Sequence, residues 1–290
     1  MKKRIITSIF IIALTLSLPL SASQGLSVGD DFTFVVKAAS GNFEYTDSAV
    51  TVSGETNKFR VGSTGVAKGQ PLDVEVTNIQ STSVSFDIDN NGSNLASPTS
   101  SALGFGLSLI LYSLYPFMVM GISTGSVNPI DPTKGVSLGD IWYIAPPSVD
   151  WQAVFDFYND TDNWDAIADV HGASEEEMTF TSIAQWYDND ETIKFKATAG
   201  GSYVIAADDT DLTIIHSVEF HYNVTNDVLQ GYDVLTIITG TYEGSATTFS
   251  MNAEVAEESY TRRIGIEPLA LILGVILSSG VLVVIRKRKK

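Results

Sequence analysis

Apolar and polar residues alternate along much of this chain, and the alternation favours antiparallel β-strands over helices. Val84, Phe86 and Ile88 are each followed by a polar residue. One face of such a strand packs on a core and the other meets water. The run ends at Asn91-Gly92, a strong signal for a tight turn between two strands.

Five further strands are predicted in the second half of the chain. They are Ile193–Ala197, Tyr203–Ala207, Leu212–Asn223, Tyr232–Tyr242 and Thr247–Glu254. Short turn-forming pairs separate them: Gly200-Gly201, Asp208-Asp209, Asn226-Asp227 and Glu243-Gly244. Short connections place consecutive strands side by side as antiparallel neighbours. Strands of this length predict a curled sheet with helices against one face.

A short repeat divides the chain. Gly25–Asp30 (GLSVGD) recurs as Gly135–Asp140 (GVSLGD), and each copy leads into a predicted apolar, aromatic strand, at Phe32–Val36 and at Ile141–Ile144. The spacing of the copies is a plausible domain length. The fold class is therefore predicted to be α+β and mainly β, with two tandem modules of curled antiparallel sheet at residues 24–134 and 135–264.

Short helices are predicted early in the second module. One face of a helix is formed by Trp151, Val154, Phe155 and Tyr158, which follow the helical period. Ser148 is the candidate N-cap. A second short helix is predicted over residues 162–171, where Gly172 ends it.

The stretch Ala102–Ile122 contains no charged residue. A buried helix, a buried strand pair or a packed loop accounts for it. A second membrane span is the alternative, but Pro116 and Gly121 interrupt the stretch and no cation flanks it.

The two ends of the chain predict its location. A basic start, an apolar run and small residues before residue 24 form a signal peptide at residues 1–23, with a retained anchor as the alternative. A transmembrane helix is predicted at residues 266–285, because Pro268–Ile285 carries no charge. The basic tail at residues 286–290 stays on the cytoplasmic side. These features predict a single-pass protein of the cell membrane whose body lies outside.

Composition excludes several classes of function. The chain has 34 acidic and 17 basic residues, a formal charge of −17 and no cysteine. Nucleic acid is excluded as a partner because phosphate binding needs a basic face. Disulfide scaffolds, thiolate zinc sites and cysteine nucleophiles are excluded as well. A solvated acidic exterior that attracts cations is expected.

One acidic segment predicts a weak calcium site. Asp87, Asp89 and Asn91 place oxygens at the first, third and fifth positions of a calcium loop, and Gly92 follows at the sharp turn. Pro98 stands where a bidentate acid is expected. The alternative is a hairpin whose solvent face carries the two aspartates. A second acidic group occurs at Asp160, Asp162, Asn163 and Asp165.

Two further patterns are candidate sites. Glu219, His221 and Asn223 share a strand face and could hold a transition metal, although a solvated strand face also explains them. Gly-x-Ser-x-Gly occurs around Ser27, Ser123 and Ser137. A hydrolase elbow requires a strand before the serine and a helix after it, and Ser27 and Ser137 lead into predicted strands. No catalytic residue and no cofactor other than weakly bound calcium is predicted.

Three phrases carry a family resemblance: Gly25–Phe32, Val66–Ile79 (VAKGQPLDVEVTNI) and Val218–Leu235 (VEFHYNVTNDVLQGYDVL). Together with the two apolar ends, they resemble surface proteins of Asgard and related archaea in the choice-of-anchor class. The resemblance implies a secreted, membrane-anchored surface protein. The curled β-meander is also similar to the half-barrels of lipoprotein carriers, which hold acyl chains on a concave sheet.

Three functions follow as hypotheses. The first is a non-enzymatic, membrane-anchored surface protein that acts as an interaction or envelope module. Its partners would be the lipid bilayer, through the C-terminal helix, and other surface proteins, glycans or lipids. The second is a protein that binds lipid or another hydrophobic ligand on its curved sheet. The third is a secreted hydrolase, which needs a serine or a carboxylate pair that converges with a histidine or a metal.

Overall fold

The computed structural model describes residues 25–47, 50–116, 130, 133–137, 142–170, 178–188 and 191–260. The predicted signal peptide, the predicted membrane span at 266–285 and the basic tail lie outside these residues. In the described part of the chain, no helix has the length and apolar character that crossing a membrane requires.

The described chain is mainly β, with antiparallel pairing and few short helices, as the alternation predicts. The strands are β1 Asp31–Asp47, β2 Val50–Thr56, β3 Lys58–Val61, β4 Thr64–Ala67, β5 Pro71–Gln80, β6 Ser83–Asn90, β7 Ser93–Ala96, β8 Thr99–Ser101, β9 Met178–Tyr187, β10 Thr192–Ile205, β11 Thr210–Asn223, β12 Val228–Tyr242 and β13 Ser245–Glu257. The helices are α1 Ala102–Ser113, α2 Trp151–Asn159 and α3 Thr161–Val170.

One large sheet joins strands from both halves of the described chain. Its main path runs β7-β6-β5-β1-β13-β12-β11-β10-β9, with β2 beside β1 and β8 beside β6. β1 pairs with β5 over Asp31–Val35 and with β13 over Phe34–Thr46. The expectation of two separate sheet modules is therefore corrected. The long β1 has two edges to satisfy, and a strand from each half of the chain covers one of them.

The second copy of the repeat does not lead into a strand. Ile144 makes only an isolated bridge to Val228, and the segment from Trp142 to Val149 is irregular. The predicted strand at Ile141–Ile144 is wrong where the structure describes it. The reason is that β13 covers the second edge of β12 from Gly231 onward, so only Val228 and Leu229 are open to this segment. The Leu229 amide donates to the Tyr143 carbonyl there at 2.8 Å, and this length forms a bridge but no strand ladder.

Two predicted strands are one. β10 runs through Gly200 and Gly201, which pair with Ile215 and Ile214 of β11. Gly201 has a φ of +137°, a conformation open to glycine because it has no β-carbon. The glycine pair therefore lies inside a continuous strand instead of ending it. The other three predicted turns are confirmed, and each contains a residue with positive φ: Asp209, Asp227 and Glu243.

The three helices lie against one face of the large sheet. α2 is confirmed where the helical period places it, but Asp150 is its N-cap instead of Ser148. The Asp150 carboxylate accepts a hydrogen bond from the Ala153 amide at 3.0 Å. Asp160 accepts from the Asp162 amide at 3.0 Å at the start of α3, so the second acidic group caps a helix. α1 shows that Ala102–Ser113 forms a helix, with Phe105, Leu109 and Tyr112 buried on one side. The part of the predicted stretch at residues 117–122 lies outside the described residues.

Candidate functional site

An aromatic layer lies between the sheet and the helices. Rings from strands, helices and one loop pack edge-on, tilted or stacked against each other, with centroids 4.8 to 6.3 Å apart. The layer consists of Phe34, Phe105, Tyr112, Tyr115, Tyr143, Trp151, Tyr158, Trp164, Phe195, Phe220, Tyr222, Tyr232 and Phe249. Such rings supply large apolar contact areas and a few polar atoms. Sequence reasoning missed this layer, although 11 tyrosines and 14 phenylalanines were a signal.

Four tyrosine hydroxyls lie close together within the layer, and we call them the tyrosine cluster: Tyr112 of α1, Tyr143 of the loop before α2, Tyr158 of α2 and Tyr222 of β11. Burial raises the pKa of Tyr222 well above its ordinary value, and the other three hydroxyls raise it further. The pKa of Tyr158 is also raised, chiefly by burial. Burial raises the pKa of Tyr143 as well, so Tyr143, Tyr158 and Tyr222 stay protonated and can donate hydrogen bonds at neutral pH.

The Tyr222 and Tyr158 hydroxyls donate to backbone carbonyls. The Tyr222 hydroxyl donates to the Trp142 carbonyl at 2.5 Å. The Tyr158 hydroxyl donates to the Leu109 carbonyl of α1 at 3.3 Å. These bonds join the sheet to the loop before α2, and α2 to α1.

The Tyr143 hydroxyl is different, because it has no hydrogen-bond partner among the described residues. Its side chain is 1% exposed, and its ring packs edge-on against Phe34 at 4.8 Å. Trp164 Nε1 and Ser148 Oγ are likewise buried without a described partner. A buried donor without an acceptor costs about 1–3 kcal/mol. Such groups commonly mark a place where a water or a ligand atom is held.

His216 is a structural residue of the same layer. Nε2 lies 2.9 Å from the Tyr112 carbonyl and Nδ1 lies 2.9 Å from Thr236 Oγ1. A carbonyl only accepts, so Nε2 carries the proton and Nδ1 accepts from the threonine hydroxyl. Burial lowers the pKa of His216 to about 4, and the imidazole is therefore neutral near pH 7. It holds α1 against the sheet.

The predicted Glu219, His221 and Asn223 group is only partly assembled, on the opposite face of β11. His221 Nε2 lies 2.7 Å from Glu219 Oε1, and Lys194 Nζ lies 3.2 Å from Glu219 Oε2. Asn223 instead accepts from the Thr225 amide in the following turn. The Lys194 ammonium therefore already occupies one side of the Glu219 carboxylate. Within the described ranges, no three histidine, aspartate or glutamate side chains come together to hold a metal ion.

The predicted calcium residues lie at one end of β6 and in its turn. Asp87 and Asp89 share a face of β6, while the Asn91 amide donates to Gln70 and Asn90. Asp87 pairs across the ladder with Glu75, and Asp89 pairs with Asp73. Oδ1 of Asp89 is buried without a described partner. Calcium binding stays a prediction.

The neighbouring strands extend these carboxylates into two cross-strand rows. We call them the acidic rows, formed by Asp31, Asp73, Glu75, Asp87 and Asp89. Asp31 of β1 pairs with Glu75 of β5, which continues the row through Asp87. Like charges that face each other across a ladder destabilise it. Sequence reasoning missed the rows because they depend on which strands pair.

The serine motifs do not form a described catalytic arrangement. Ser27 precedes β1, and its backbone amide donates to the Asp30 carboxylate at 2.7 Å. Ser137 is buried and follows Val136, which pairs with Lys58 and Arg60 beside β3. Ser123 and His171 lie outside the described residues.

No protein-family model, curated protein or solved structure matches this chain. The resemblance to archaeal surface proteins therefore stays a prediction from the sequence.

Proposed function

We propose that this chain is a non-enzymatic binding protein for an apolar ligand, held between the sheet and its three helices. The observation that carries the proposal is the Tyr143 hydroxyl, a donor without a described acceptor inside an aromatic layer. Ligand sites combine apolar walls with a few convergent polar groups. A ligand oxygen that accepts from Tyr143 would satisfy this donor.

The ligand oxygen is expected to be neutral. Burial raises the pKa of Tyr143, and the neighbouring Tyr112 hydroxyl raises it further; neither cause is a fixed charge. A carboxylate or phosphate placed beside Tyr143 would therefore be buried without a cation, which is costly. Esters, ketones, ethers and alcohols on an apolar body fit the site better.

Entry requires a helix to move. All residues of the tyrosine cluster are buried. The most exposed of them, Tyr112, has only 5% of its surface accessible to water. α1 is attached to its surroundings by the Trp142–Ser108, Tyr158–Leu109 and His216–Tyr112 hydrogen bonds. We infer that these bonds break when α1 separates from the sheet to admit a ligand.

Binding can be tested with the full-length protein and a brominated long-chain methyl ester, which quenches nearby tryptophans. Trp142, Trp151 and Trp164 all lie in or beside the layer. Saturable quenching is expected. Tyr143→Phe should weaken binding about fivefold, since one hydrogen bond contributes about 1 kcal/mol. Tyr242→Phe, at the far end of β12, is the matched control and should bind as the parent does. Absent quenching, or equal affinity of the Tyr143→Phe variant, would contradict the proposal.

Membrane anchoring on the outer cell surface forms the second part of the proposal, and the uncharged run Pro268–Ile285 before five cations supports it. Protease added to intact cells should remove residues 25–260 and leave the C-terminal segment in the membrane fraction. Protection of the sheet domain until lysis would contradict this topology.

A second candidate function is a cation-assisted surface interaction module. The acidic rows favour it, because carboxylates that pair across the ladder repel each other and a cation bound beside such a pair would reduce the repulsion. Calorimetry with calcium should then give heat that Asp87→Asn with Asp89→Asn abolishes and the exposed Asp208→Asn leaves intact. No heat and no change in melting temperature would dispose of this candidate.

A further inference from the structure

α1 carries an exposed leucine stripe on its outer face. Leu103, Leu107 and Leu111 follow one another at intervals of four residues, so they lie along one side of the helix. Leu103 is 38% exposed and Leu111 is 45% exposed. The opposite side packs on the aromatic layer through Phe105 and Tyr112. No residue of α1 is charged, so the outer face is apolar in a strongly acidic chain.

The start of α1 lies at the end of the sheet where β13 finishes. Phe105 packs on Tyr222 with ring centroids 5.5 Å apart, and Tyr222 pairs with Leu229 of β12. Two residues further along β12, Gly231 pairs with Ala256 near the end of β13. The N-terminal end of α1 is therefore close to the point where the chain leaves the sheet.

The predicted membrane anchor begins a short distance after that point. The last residue of the described chain is Tyr260, and the predicted span begins at residue 266. Five extended residues cover at most about 18 Å. In an anchored chain, the point where β13 ends is therefore separated from the predicted span by only a short length of chain.

We propose that the leucine stripe of α1 contacts the interfacial region of the bilayer in which the chain is anchored. This inference rests on the proposed membrane anchoring. Leucines of an uncharged helix gain from burial at the boundary between headgroups and acyl chains. A second copy of the chain is a poorer occupant, because three partly covered leucines fall far short of the ~800 Å² per partner of a stable interface. Contact with lipid would also place α1, which must move to admit the proposed ligand, beside the bilayer. The bilayer would then be a direct source of apolar ligand.

The absence of cysteine makes a site-specific test clean. Single-cysteine variants Leu103→Cys and Leu111→Cys, each labelled with an environment-sensitive NBD dye, are reconstituted as full-length protein in phosphatidylcholine vesicles. The matched control is Val204→Cys, which is 38% exposed like Leu103 and lies at the opposite end of β10. Doxyl-labelled phosphatidylcholine should quench both α1 dyes and leave the dye at position 204 bright. Melting curves of the labelled variants verify that each is folded.

The outcomes separate this inference from the anchoring on which it rests. If the protein floats with the vesicles but the α1 dyes keep their fluorescence, the leucine stripe does not contact lipid and anchoring stands. If the protein fails to float, both ideas are overturned. Dye-to-dye self-quenching that depends on protein density, without quenching by doxyl lipid, would identify a second copy as the occupant and also overturn the inference.

Discussion

The indole Nε1 of Trp151 donates a 2.8 Å hydrogen bond to Oδ1 of Asp227. Trp151 is the first residue of α2, and Asp227 lies in the turn between β11 and β12. The two residues are 76 positions apart, and both are buried. The bond therefore fixes the first turn of α2 to one end of the large sheet.

Loss of this bond should weaken the fold. Trp151→Phe removes the donor and leaves a buried carboxylate short of one partner, so we expect the free energy of unfolding to fall by about 2 kcal/mol. Asp227→Asn keeps an acceptor oxygen and should cost less. Urea denaturation measures both, with the half-buried Trp186→Phe as control. Equal stability of Trp151→Phe and the parent would contradict the assignment.

Tyr143→Phe should stabilise the unliganded protein. The change removes a buried hydroxyl without a described acceptor and keeps the ring that packs on Phe34. We expect a gain of about 1 kcal/mol in the free energy of unfolding, measured without ligand. Tyr158→Phe provides the contrast, because its hydroxyl has an acceptor in Leu109 and its loss should destabilise. A loss of stability in Tyr143→Phe would mean that the hydroxyl is already satisfied.

Acid should destabilise the protein through His216. Its folded pKa of about 4 lies below the ordinary histidine pKa of 6.5, so the unfolded chain binds the proton first as the pH falls. The contribution is complete above pH 6.5 and is lost between about pH 6.5 and 4, with an upper size of about 3 kcal/mol. His216→Gln should show a flatter curve in this window when urea denaturation is repeated across pH. If the free energies of unfolding of the parent and of His216→Gln change in parallel with pH, His216 does not have this role.

Asn159 protects an edge strand, and its loss should promote association. Its side-chain amide donates to the Ala184 carbonyl at 3.1 Å and accepts from the Ala184 amide at 3.0 Å. Asn159→Ala leaves both backbone groups of β9 unpaired at a buried position, at a cost of about 1–3 kcal/mol. An uncovered edge also pairs with other chains. Light scattering at rising protein concentration should detect this, while the exposed Asn94→Ala stays monodisperse.

Gly240 should not tolerate a side chain. It has a φ of +141°, and an added β-carbon would lie 2.1 Å from the Asp211 carbonyl oxygen. Gly240→Ala is expected to cost at least about 1–3 kcal/mol from backbone strain alone. Gly200→Ala is the matched control, because its β-carbon would find its nearest neighbour at an ordinary 3.7 Å. Urea midpoints compare the two, and equal midpoints would refute the steric account.

Local patterns were sufficient for the type and place of many elements. The alternation around Val84, Phe86 and Ile88 predicts β6, because a two-residue period exposes one face whatever the partner strand is. The helical spacing of Trp151 and Tyr158 predicts α2 for the same reason. Asn91-Gly92 predicts the turn after β6, since both residues accept the positive φ values of 51° and 77° found there.

The partners of the strands and the tyrosine cluster depend on the folded chain. Nothing near Phe34 in sequence indicates that β1 lies between β5 and β13, because a strand edge accepts any strand of suitable length. The tyrosine cluster is built from two helices, a loop and a strand. In its own segment of sequence, each of these tyrosines looks like an ordinary apolar position. Their hydroxyls come together only because long-range strand pairing and helix packing bring these segments close. The periodicity of a short segment depends on its own residues and therefore does not predict contacts between distant segments.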